Sequence, residues 1–300
     1  MSVLVDSIYG KDNVKFLKIK RDPSNPKIQD VIEVTVKVLL KGAFDVSYTK
    51  ADNSPIVPTD TVKNTILIKA RTEDPFLVEN FANILASHFL AKYDHISSVD
   101  VDIIQLRWSK YLVNDKFHDH SFIKDGDEKR ICHLFRSRVG DFKLTSGIKD
   151  LTLLKSTGSM FYGYNKCDYT TLKPTNDRIL STDVDASWVW SNQITSSNIS
   201  DLSNNGLFDK TYASARKITL DLFATQNSPS VQATMYDMAS EILKTSSKIK
   251  SVTYTLPNKH YFLMDFSWFN NLKNDEVFYP SPHPNGLINC TVTRDPKSKL

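Results

Sequence analysis

The segment from Val31 to Leu40 alternates between apolar and polar side chains, and this alternation sets the strongest constraint on the fold. A period of two with one apolar face is typical of an antiparallel strand that packs on a core from one side. The turn-forming residues 22–26 precede it, so residues 14–19 are predicted to pair with it as a hairpin. The apolar face carries Ile32, Val34, Val36, Val38 and Leu40.

Helical periodicity replaces the strand pattern at several places, and at two of them proline marks the start. Asp74-Pro75 is a predicted helix start, because proline at the first helical position loses no needed hydrogen bond. Ser228-Pro229 is a second predicted start, with Ser228 as the cap. Apolar stripes at helical spacing follow, with Val78, Phe81, Ala82, Leu85 and Phe89 after the first start and Val231, Met235, Met238, Ala239 and Ile242 after the second.

The two halves of the chain share one plan. The sequence VKNTI at 62–66, in a helix predicted to be capped by Thr59-Asp60, matches VQATM at 231–235 in pattern. Each precedes strand-like segments that end in an apolar residue and tryptophan, at 106–108 and 266–268. Four strands with two helices on one face, occurring twice, make an α+β arrangement of antiparallel sheets. We therefore predict two tandem domains, residues 1–140 and 141–300.

Other segments are predicted to be irregular. Residues 191–205 are rich in Ser and Asn and read as a surface loop, and Asp125-Gly126 reads as a turn between short strands. Separate strands are predicted around 252–256 and 261–266. Three prolines place the last segment in an irregular surface loop, at Pro280, Pro282 and Pro284.

Charge and composition exclude several classes of function. The net charge of +4 is small for 300 residues and the basic residues are scattered, which argues against nucleic acid as a partner. No apolar run approaches the roughly 18 residues of a membrane span, and the N-terminus lacks a signal-peptide pattern. Cys132, Cys167 and Cys290 are too widely spaced for a metal motif, and we expect small buried hydrophobic thiols without disulfides.

The stretch from Leu151 to Arg178 opens as a strand and concentrates side chains that could bind a ligand. It contains Phe161 and several tyrosines, and it closes on Arg178 behind a turn. An aromatic face and a planar cationic fork can hold a flat anionic heterocycle, the ring by stacking and its edge by two hydrogen bonds. Aromatic residues in strands more often pack in a core, so composition alone favours core packing.

This stretch resembles the signature segment of the urate oxidase (uricase) family. Residues 9–14 (YGKDNV), 59–65 (TDTVKNT) and 256–261 (LPNKHY) are similar to the same family, and the similarity runs essentially from end to end and is of the yeast type. The positions that carry the central match are Leu151, Leu153, Leu154, Lys155, Ser156, Thr157, Ser159, Phe161, Tyr164, Tyr169, Leu172 and Arg178.

The resemblance implies an enzyme of purine degradation. It implies that O2 and water oxidise urate to 5-hydroxyisourate and hydrogen peroxide, with no cofactor and no metal. It also implies two tunnelling-fold (T-fold) domains per chain, whose strands close a barrel in a homotetramer.

The resemblance also implies the roles of individual residues. Lys11 and Thr59 would be the catalytic pair, and His260 would relay protons over the ring face together with Asn258. The remaining positions would bind substrate, with Lys11, Thr59 and Asp60 given by one subunit and the others by its neighbour. The implied substrate-binding set is Thr59, Asp60, Phe161, Leu172, Arg178, Val231, Gln232 and Asn258.

Each role has a physical rationale beside an ordinary structural alternative. Arg178 and Gln232 would grip one edge of the purine, while the first-turn N–H groups of Val231 and Gln232 favour an anion. Phe161 would stack on the ring, Leu172 would form an apolar wall, and the backbone of Asp60 would bind the far edge. Without the resemblance, Lys11 would be a surface lysine, Gln232 an ordinary first-turn residue and His260 a structural histidine.

Two other functions remain open at this point. A T-fold protein could bind a purine or pterin without oxidising it, and the catalytic set Lys11, Thr59 and His260 is what such a binder would not need. A zinc-dependent hydrolase on the same fold is less well supported, because His118 and His120 have no obvious third ligand. Phosphate-loop, dinucleotide-binding and serine-hydrolase motifs are absent from the sequence.

The chain ends in Ser298-Lys299-Leu300, the tripeptide of the peroxisomal import signal. The polar residues before it would make it accessible to an import receptor. We therefore expect a peroxisomal protein.

Overall fold

The structure, a computed structural model, describes residues 2–294, so that the predicted targeting residues Ser298, Lys299 and Leu300 lie outside the described residues. Eight strands form one sheet in which each strand lies beside its neighbour in sequence, and the pairs with a described register are antiparallel. The strands are β1 (Tyr9–Arg21), β2 (Gln29–Gly42), β3 (Ile96–Val113), β4 (Lys116–Ser137), β5 (Phe142–Lys155), β6 (Leu180–Trp190), β7 (Ile249–Leu263) and β8 (Phe278–Thr293).

Helices occupy the equivalent place in each half of the chain, between the second and third strands of that half. The predicted α+β class is therefore confirmed. The helices are α1 (Asp45–Thr49), α2 (Thr59–Thr72), α3 (Val78–Lys92), α4 (Ile199–Asn204), α5 (Leu207–Thr225) and α6 (Val231–Thr245).

The chain divides into two compact units, which we describe separately. The first contains the residues up to Ile148 together with Trp188–Tyr212, and the second contains Lys149–Ser187 together with the residues from Ala213 onward. Among the described residues, no helix is long and apolar enough to cross a lipid bilayer.

The core of the first unit lies between the apolar face of β2 and the helices α2 and α3. The predicted face of β2 is confirmed, because all five of its aliphatic residues are at most 1% exposed. Strand β2 pairs with β1 on one side and with β3 on the other, and α2 packs against β1 while α3 packs against β3 and β4. The stripe predicted for α3 is buried as well, including Phe81 and Phe89.

In the second unit, α6 packs against β7 and β8. All five apolar residues predicted for its inner face are buried. Tyr254 of β7 is fully buried, and its hydroxyl lies 2.6 Å from Thr219 Oγ1 of α5. This hydrogen bond satisfies a polar group that would otherwise be costly to bury.

Helix α3, the third helix of the first unit, begins later than predicted. Asp74 and Pro75 do not start α3, which begins at Val78 after Leu77 as the N-cap. The Asp74 carboxylate instead accepts a hydrogen bond from the Phe76 N–H at 3.1 Å. This local bond closes a turn that competes with helix formation at the same residues.

Several segments predicted to be irregular are regular. Residues 191–205 include α4, and Ile199 there is fully buried. Asp125-Gly126 lies inside β4 at an irregularity in its register with β3, where Gly126 has φ +80°. Strand β7 is continuous to Leu263 and does not reach residue 266, while the three prolines belong to β8, which pairs only with β7 among the described strands. An edge strand tolerates proline because its outward N–H groups are not needed for pairing.

Gly10 lies where β1 approaches β2 closely. A Cβ atom at this residue would lie 1.9 Å from the carbonyl oxygen of Val38, which is backbone and cannot swing aside. The register of the two strands shifts just after it, between Lys11 and Val14. Gly10 therefore fixes the path of the strand that carries Lys11.

We expect Gly10→Ala to lower the free energy of unfolding by roughly 3 kcal/mol, because the new methyl group must push two paired strands apart. Thermal unfolding of the variant beside Gly286→Ala would measure this. A Cβ at Gly286 meets only the Ile288 and Asn258 side chains at ordinary distances of 3.8 and 3.9 Å. Equal unfolding midpoints for the two variants would contradict the predicted close approach.

Candidate active site

The N-terminus of α2 presents two of the predicted residues to solvent. Thr59 is the first helical residue and Pro58 is the N-cap, so Thr59 and Asp60 do not cap the helix as predicted. The Val62 N–H donates to the Pro58 carbonyl at 3.1 Å. The N–H groups before Val62 have no intrahelical acceptor, and with the positive helix end they favour a polar or anionic ligand.

The side chain of Asp60 is engaged within its own helix. Lys63 forms an ion pair with it, and Asn64 Nδ2 donates to Asp60 Oδ2 at 2.9 Å. The hydrogen bond from Lys63 is the main reason that the pKa of Asp60 lies below its usual value, and Lys11 contributes by its charge. With the carboxylate occupied and partly neutralised, the backbone N–H of Asp60 is the group left to meet a ligand.

Tyr9 connects the strand of Lys11 to the loop before Thr59. Its hydroxyl accepts a hydrogen bond from the Val57 N–H at 2.7 Å, and its ring packs edge-on against Phe44 with centroids 4.8 Å apart. Tyr9 is two residues from Lys11, and Val57 is two residues from Thr59. This single bond therefore ties together the two segments that carry the predicted catalytic pair.

In the second unit, Phe161 and Arg178 lie close to one another. The backbones of Phe161 and Thr175 form an isolated antiparallel bridge, with N···O distances of 2.9 and 3.0 Å. The guanidinium carbon of Arg178 is 5.2 Å from the centroid of the Phe161 ring. The aromatic ring and the cationic fork predicted to hold a heterocycle are thus neighbours in the fold.

In the part of the chain that the structure describes, no carboxylate neutralises the Arg178 guanidinium. It forms no ion pair with a carboxylate of residues 2–294, and its buried Nε has no hydrogen-bond acceptor. Burial lowers its pKa, although an arginine remains charged at neutral pH. A half-buried cation without a counter-charge favours the binding of an anion, because such a ligand replaces the lost solvation.

Helix α6 brings Val231 and Gln232 to its first turn, as predicted, but its N-cap is Ser230 and not Ser228. The Ser230 hydroxyl accepts the Ala233 N–H at 3.2 Å, which leaves the N–H groups of Val231 and Gln232 without an intrahelical acceptor. Val231 is buried and the Gln232 side chain is exposed. The first turn thus offers two backbone donors and one amide.

Ser228 has a different role from the predicted cap. Its backbone accepts the Met160 N–H at 2.7 Å and donates to the Gly158 carbonyl at 2.9 Å. Its buried hydroxyl lies 2.7 Å from Thr234 Oγ1. Ser228 therefore joins the segment before Phe161 to the segment before α6.

Tyr164 was not assigned a role from the sequence beyond its place in the signature. Its ring lies parallel to that of Phe161, with centroids 5.0 Å apart and an interplanar angle of 14°. Its hydroxyl donates to the Leu172 carbonyl at 2.5 Å. Tyr164 thus links Phe161 to Leu172, whose own side chain is exposed.

Asn258 and His260 lie on β7 at an irregularity in its register with β8. The bulge interrupts strict alternation, so the predicted common face of the two side chains stays a prediction. The His260 ring lies nearly parallel to Phe262, with centroids 6.0 Å apart. Lys259 between them forms an ion pair with Asp183 at 2.6 Å, which anchors this part of β7 to β6.

The alternative sites are less developed. Within residues 2–294, no three His, Cys, Asp or Glu side chains are grouped so that they could hold a metal ion. His118 and His120 are neighbours, with ring centroids 4.6 Å apart, and His120 Nδ1 lies 3.2 Å from the Lys27 carbonyl. The three cysteines are free, and the expectation that all three are buried is wrong, because Cys167 is exposed and Cys290 is only partly buried.

The structure gathers Phe161, Arg178 and Leu172 in one region of the second unit, and ties the segment of Gln232 to it through Ser228. In the first unit it ties the segments of Lys11 and Thr59 through Tyr9. The functional roles of all these residues stay predictions at this level.

Comparison with known proteins identifies relatives along the whole chain. The family model described as uricase matches residues 7–134 and 144–289. The uricase of Cyberlindnera jadinii is 62% identical over 302 residues, an alignment that spans 100% of this chain and 99% of that protein. The uricase of Aspergillus flavus is 48% identical and is spanned completely. The crystal structure of the uricase from Arthrobacter globiformis superimposes with a TM-score of 0.85 at 34% identity, covering 100% of this chain and 98% of that one.

Proposed function

The chain belongs to the uricase family and oxidises urate, and we propose that O2 and water convert the urate to 5-hydroxyisourate and hydrogen peroxide without a cofactor. The observation that carries the proposed site is the Arg178 guanidinium, half-buried beside Phe161 and without a counter-charge from residues 2–294. A urate anion supplies the missing charge and a planar ring of suitable shape.

We propose that one edge of urate is held by Arg178 and Gln232, with the Val231 N–H at the helix end supporting the anion. Phe161 stacks on the ring and Leu172 closes one side. The chemistry of an arginine fork supports this arrangement, because its donors match two acceptors on the edge of a heterocycle.

The other edge of the pocket comes from a neighbouring subunit in this proposal. There the Asp60 N–H and the Thr59 hydroxyl meet the substrate, and Lys11 acts beside Thr59. The free N–H groups of the α2 N-terminus and the occupied Asp60 carboxylate support this role. The proposal requires a homo-oligomer, for which we propose a tetramer of paired T-fold domains that close a barrel.

The proposed reaction begins with proton removal. Lys11, directly or through Thr59, and His260 move protons so that bound urate becomes an electron-rich dianion. The dianion passes one electron to O2, and the resulting radicals combine to a peroxide adduct. Loss of hydrogen peroxide leaves an imine-like carbon, to which water adds. One urate, one O2 and one water are thereby converted to one 5-hydroxyisourate and one hydrogen peroxide, while Asn258 and His260 cover the face where oxygen and water react.

Removal of metals tests the cofactor-free proposal. We expect protein treated with a chelator and then desalted to consume urate and release peroxide at the untreated rate, because the proposed electron donor is the substrate itself. Urate absorbance and a peroxide assay measure both quantities, and metal analysis by mass spectrometry verifies removal. Loss of activity on stripping, restored by one metal, would contradict the proposal.

The same assay separates the other candidates. A non-oxidising purine or pterin binder would leave urate absorbance unchanged, and a zinc-dependent hydrolase would release no peroxide. The sequence favours oxidation, since a pure binder would not need Lys11, Thr59 and His260 together.

We also propose that the protein is imported into peroxisomes through Ser298-Lys299-Leu300. A fluorescent fusion that keeps this C-terminus should colocalise with catalase, and removal of the three residues should leave it in the cytosol. Colocalisation of both forms would contradict the assignment.

A further inference from the structure

The segments that carry Phe161 and Arg178 lie outside the long strands, so their relative position depends on a few contacts. The backbone bridge between Phe161 and Thr175 is one of them. A second involves Asp177, the residue immediately before Arg178. The resemblance assigns no role to Asp177.

The Asp177 carboxylate joins the two segments with both oxygens. Oδ2 accepts the Thr157 hydroxyl at 2.7 Å, and Oδ1 accepts the Gly158 N–H at 2.8 Å. Both hydrogen bonds lower the pKa of Asp177, and the one from Thr157 has the larger effect. The carboxylate is thus ionised at neutral pH, and its charge strengthens both bonds.

The two donors lie on a sharply turned part of the chain. Gly158 has φ +76°, a left-handed conformation that favours glycine. Ser159 and Met160 follow it and lead directly to Phe161. On the other segment, the Thr175 hydroxyl donates to the Asp177 carbonyl at 2.6 Å, which fixes the backbone next to Arg178.

No side chain among the described residues holds the Arg178 guanidinium by an ion pair, and its Nε has no acceptor. Its direction therefore depends on its backbone and on the nearby Phe161 ring. A change of the angle between the two segments would move the fork relative to the ring. Small displacements of binding groups have large effects on recognition.

We propose that Asp177 is a positioning residue for urate, which clamps the Thr157–Gly158 segment to the Arg178 segment and sets the Arg178 guanidinium against the Phe161 ring. The inference rests on the proposed function in that Phe161 and Arg178 hold the substrate. Asp177 itself does not contact urate in this proposal. It acts on the contacts of Phe161 and Arg178 with urate, which are made in both the ground state and the transition state.

Asp177→Asn tests the proposal, because the amide keeps the shape but removes the negative charge that strengthens both bonds, and its nitrogen cannot accept the Thr157 hydroxyl proton. Urate is not consumed without O2, so its dissociation constant can be measured under argon by calorimetry. We expect a rise of about tenfold in that constant and an equal rise in KM, with kcat changed by less than about twofold. Asp168→Asn, the same change at an exposed residue of the neighbouring loop, is the matched control and should change neither constant.

Thr157 provides an independent pair of variants. Thr157→Val removes the hydroxyl and should weaken urate binding as Asp177→Asn does, whereas Thr157→Ser retains it and should bind like the wild type. A role in stability alone would lower the unfolding temperature of the Asp177 and Thr157 variants without this difference in affinity. Unchanged affinity in Asp177→Asn, or lower kcat at unchanged affinity, would overturn the proposal.

Arg178→Ala separates failure of this inference from failure of the proposed site. If Arg178→Ala weakens anaerobic urate binding and Asp177→Asn does not, the clamp is wrong and the site stands. If Arg178→Ala leaves urate binding unchanged, the proposed site is wrong, and so is the proposed positioning role of Asp177.

Discussion

Lys11→Met is expected to lower kcat by roughly a hundredfold to a thousandfold while urate still binds, since methionine keeps the length of the side chain but cannot move a proton. Lys11 lies on β1 at the shift in its register with β2, and Tyr9 on the same strand bonds to the segment of Thr59. Lys15→Met makes the same change at an exposed residue of β1 and should retain wild-type kcat. A Lys11 variant with normal turnover would remove lysine from the mechanism.

The same variant tests whether the site is shared between subunits. Arg178→Ala alone should also be inactive at low urate. When the Lys11 and Arg178 variants are co-expressed, a shared site is intact if its Arg178 comes from a Lys11-variant chain and its Lys11 comes from an Arg178-variant chain. Random assembly should therefore restore roughly a quarter of the wild-type activity. Recovery no greater than the sum of the two separate variants would show that each chain completes its own site.

Arg178→Ala is expected to weaken anaerobic binding of urate roughly a hundredfold, or by about 2.8 kcal/mol. The physical reason is the loss of a half-buried cation that has no counter-charge among the described residues. Arg178→Lys should recover only part of the affinity, because an ammonium group restores the charge but not the planar fork. Lys173→Ala removes an exposed cation from the same segment and controls for net charge. Full recovery by lysine would show that charge alone is needed.

The strand and core pattern could be predicted because burial of one face requires apolar residues at a regular spacing in the sequence. The alternation of β2 and the apolar stripe of α3 correspond to buried residues. Helix starts were less predictable, because Asp, Ser and Thr form local turns as readily as caps. Asp74 closes a turn ahead of α3, and Ser228 bonds to Gly158 and Met160 while Ser230 caps α6.

The candidate site was likewise only partly predictable from the sequence. Its residues are proposed from the family resemblance, but their contacts could not be predicted from it. The stacking of Tyr164 on Phe161 and the clamp by Asp177 join residues through tertiary structure. The prolines of β8 predict a loop, but they lie in an edge strand. Proline excludes a central strand but not an edge strand, and edge position is a property of the whole sheet.

The sheet of a single copy ends at β1 and β8, and the two borders differ. Strand β8 carries prolines that lack a hydrogen-bond donor, while β1 has none and relies on lysines along its length. A newly synthesised monomer would therefore expose two edge strands to other nascent chains. The backbone of β1 can pair with another strand, whereas the prolines hinder such pairing at β8. Removal of Lys15, Lys18 and Lys20, which leaves Lys11 in place, should chiefly increase self-association during biosynthesis, so that soluble yield falls before the turnover of surviving enzyme changes.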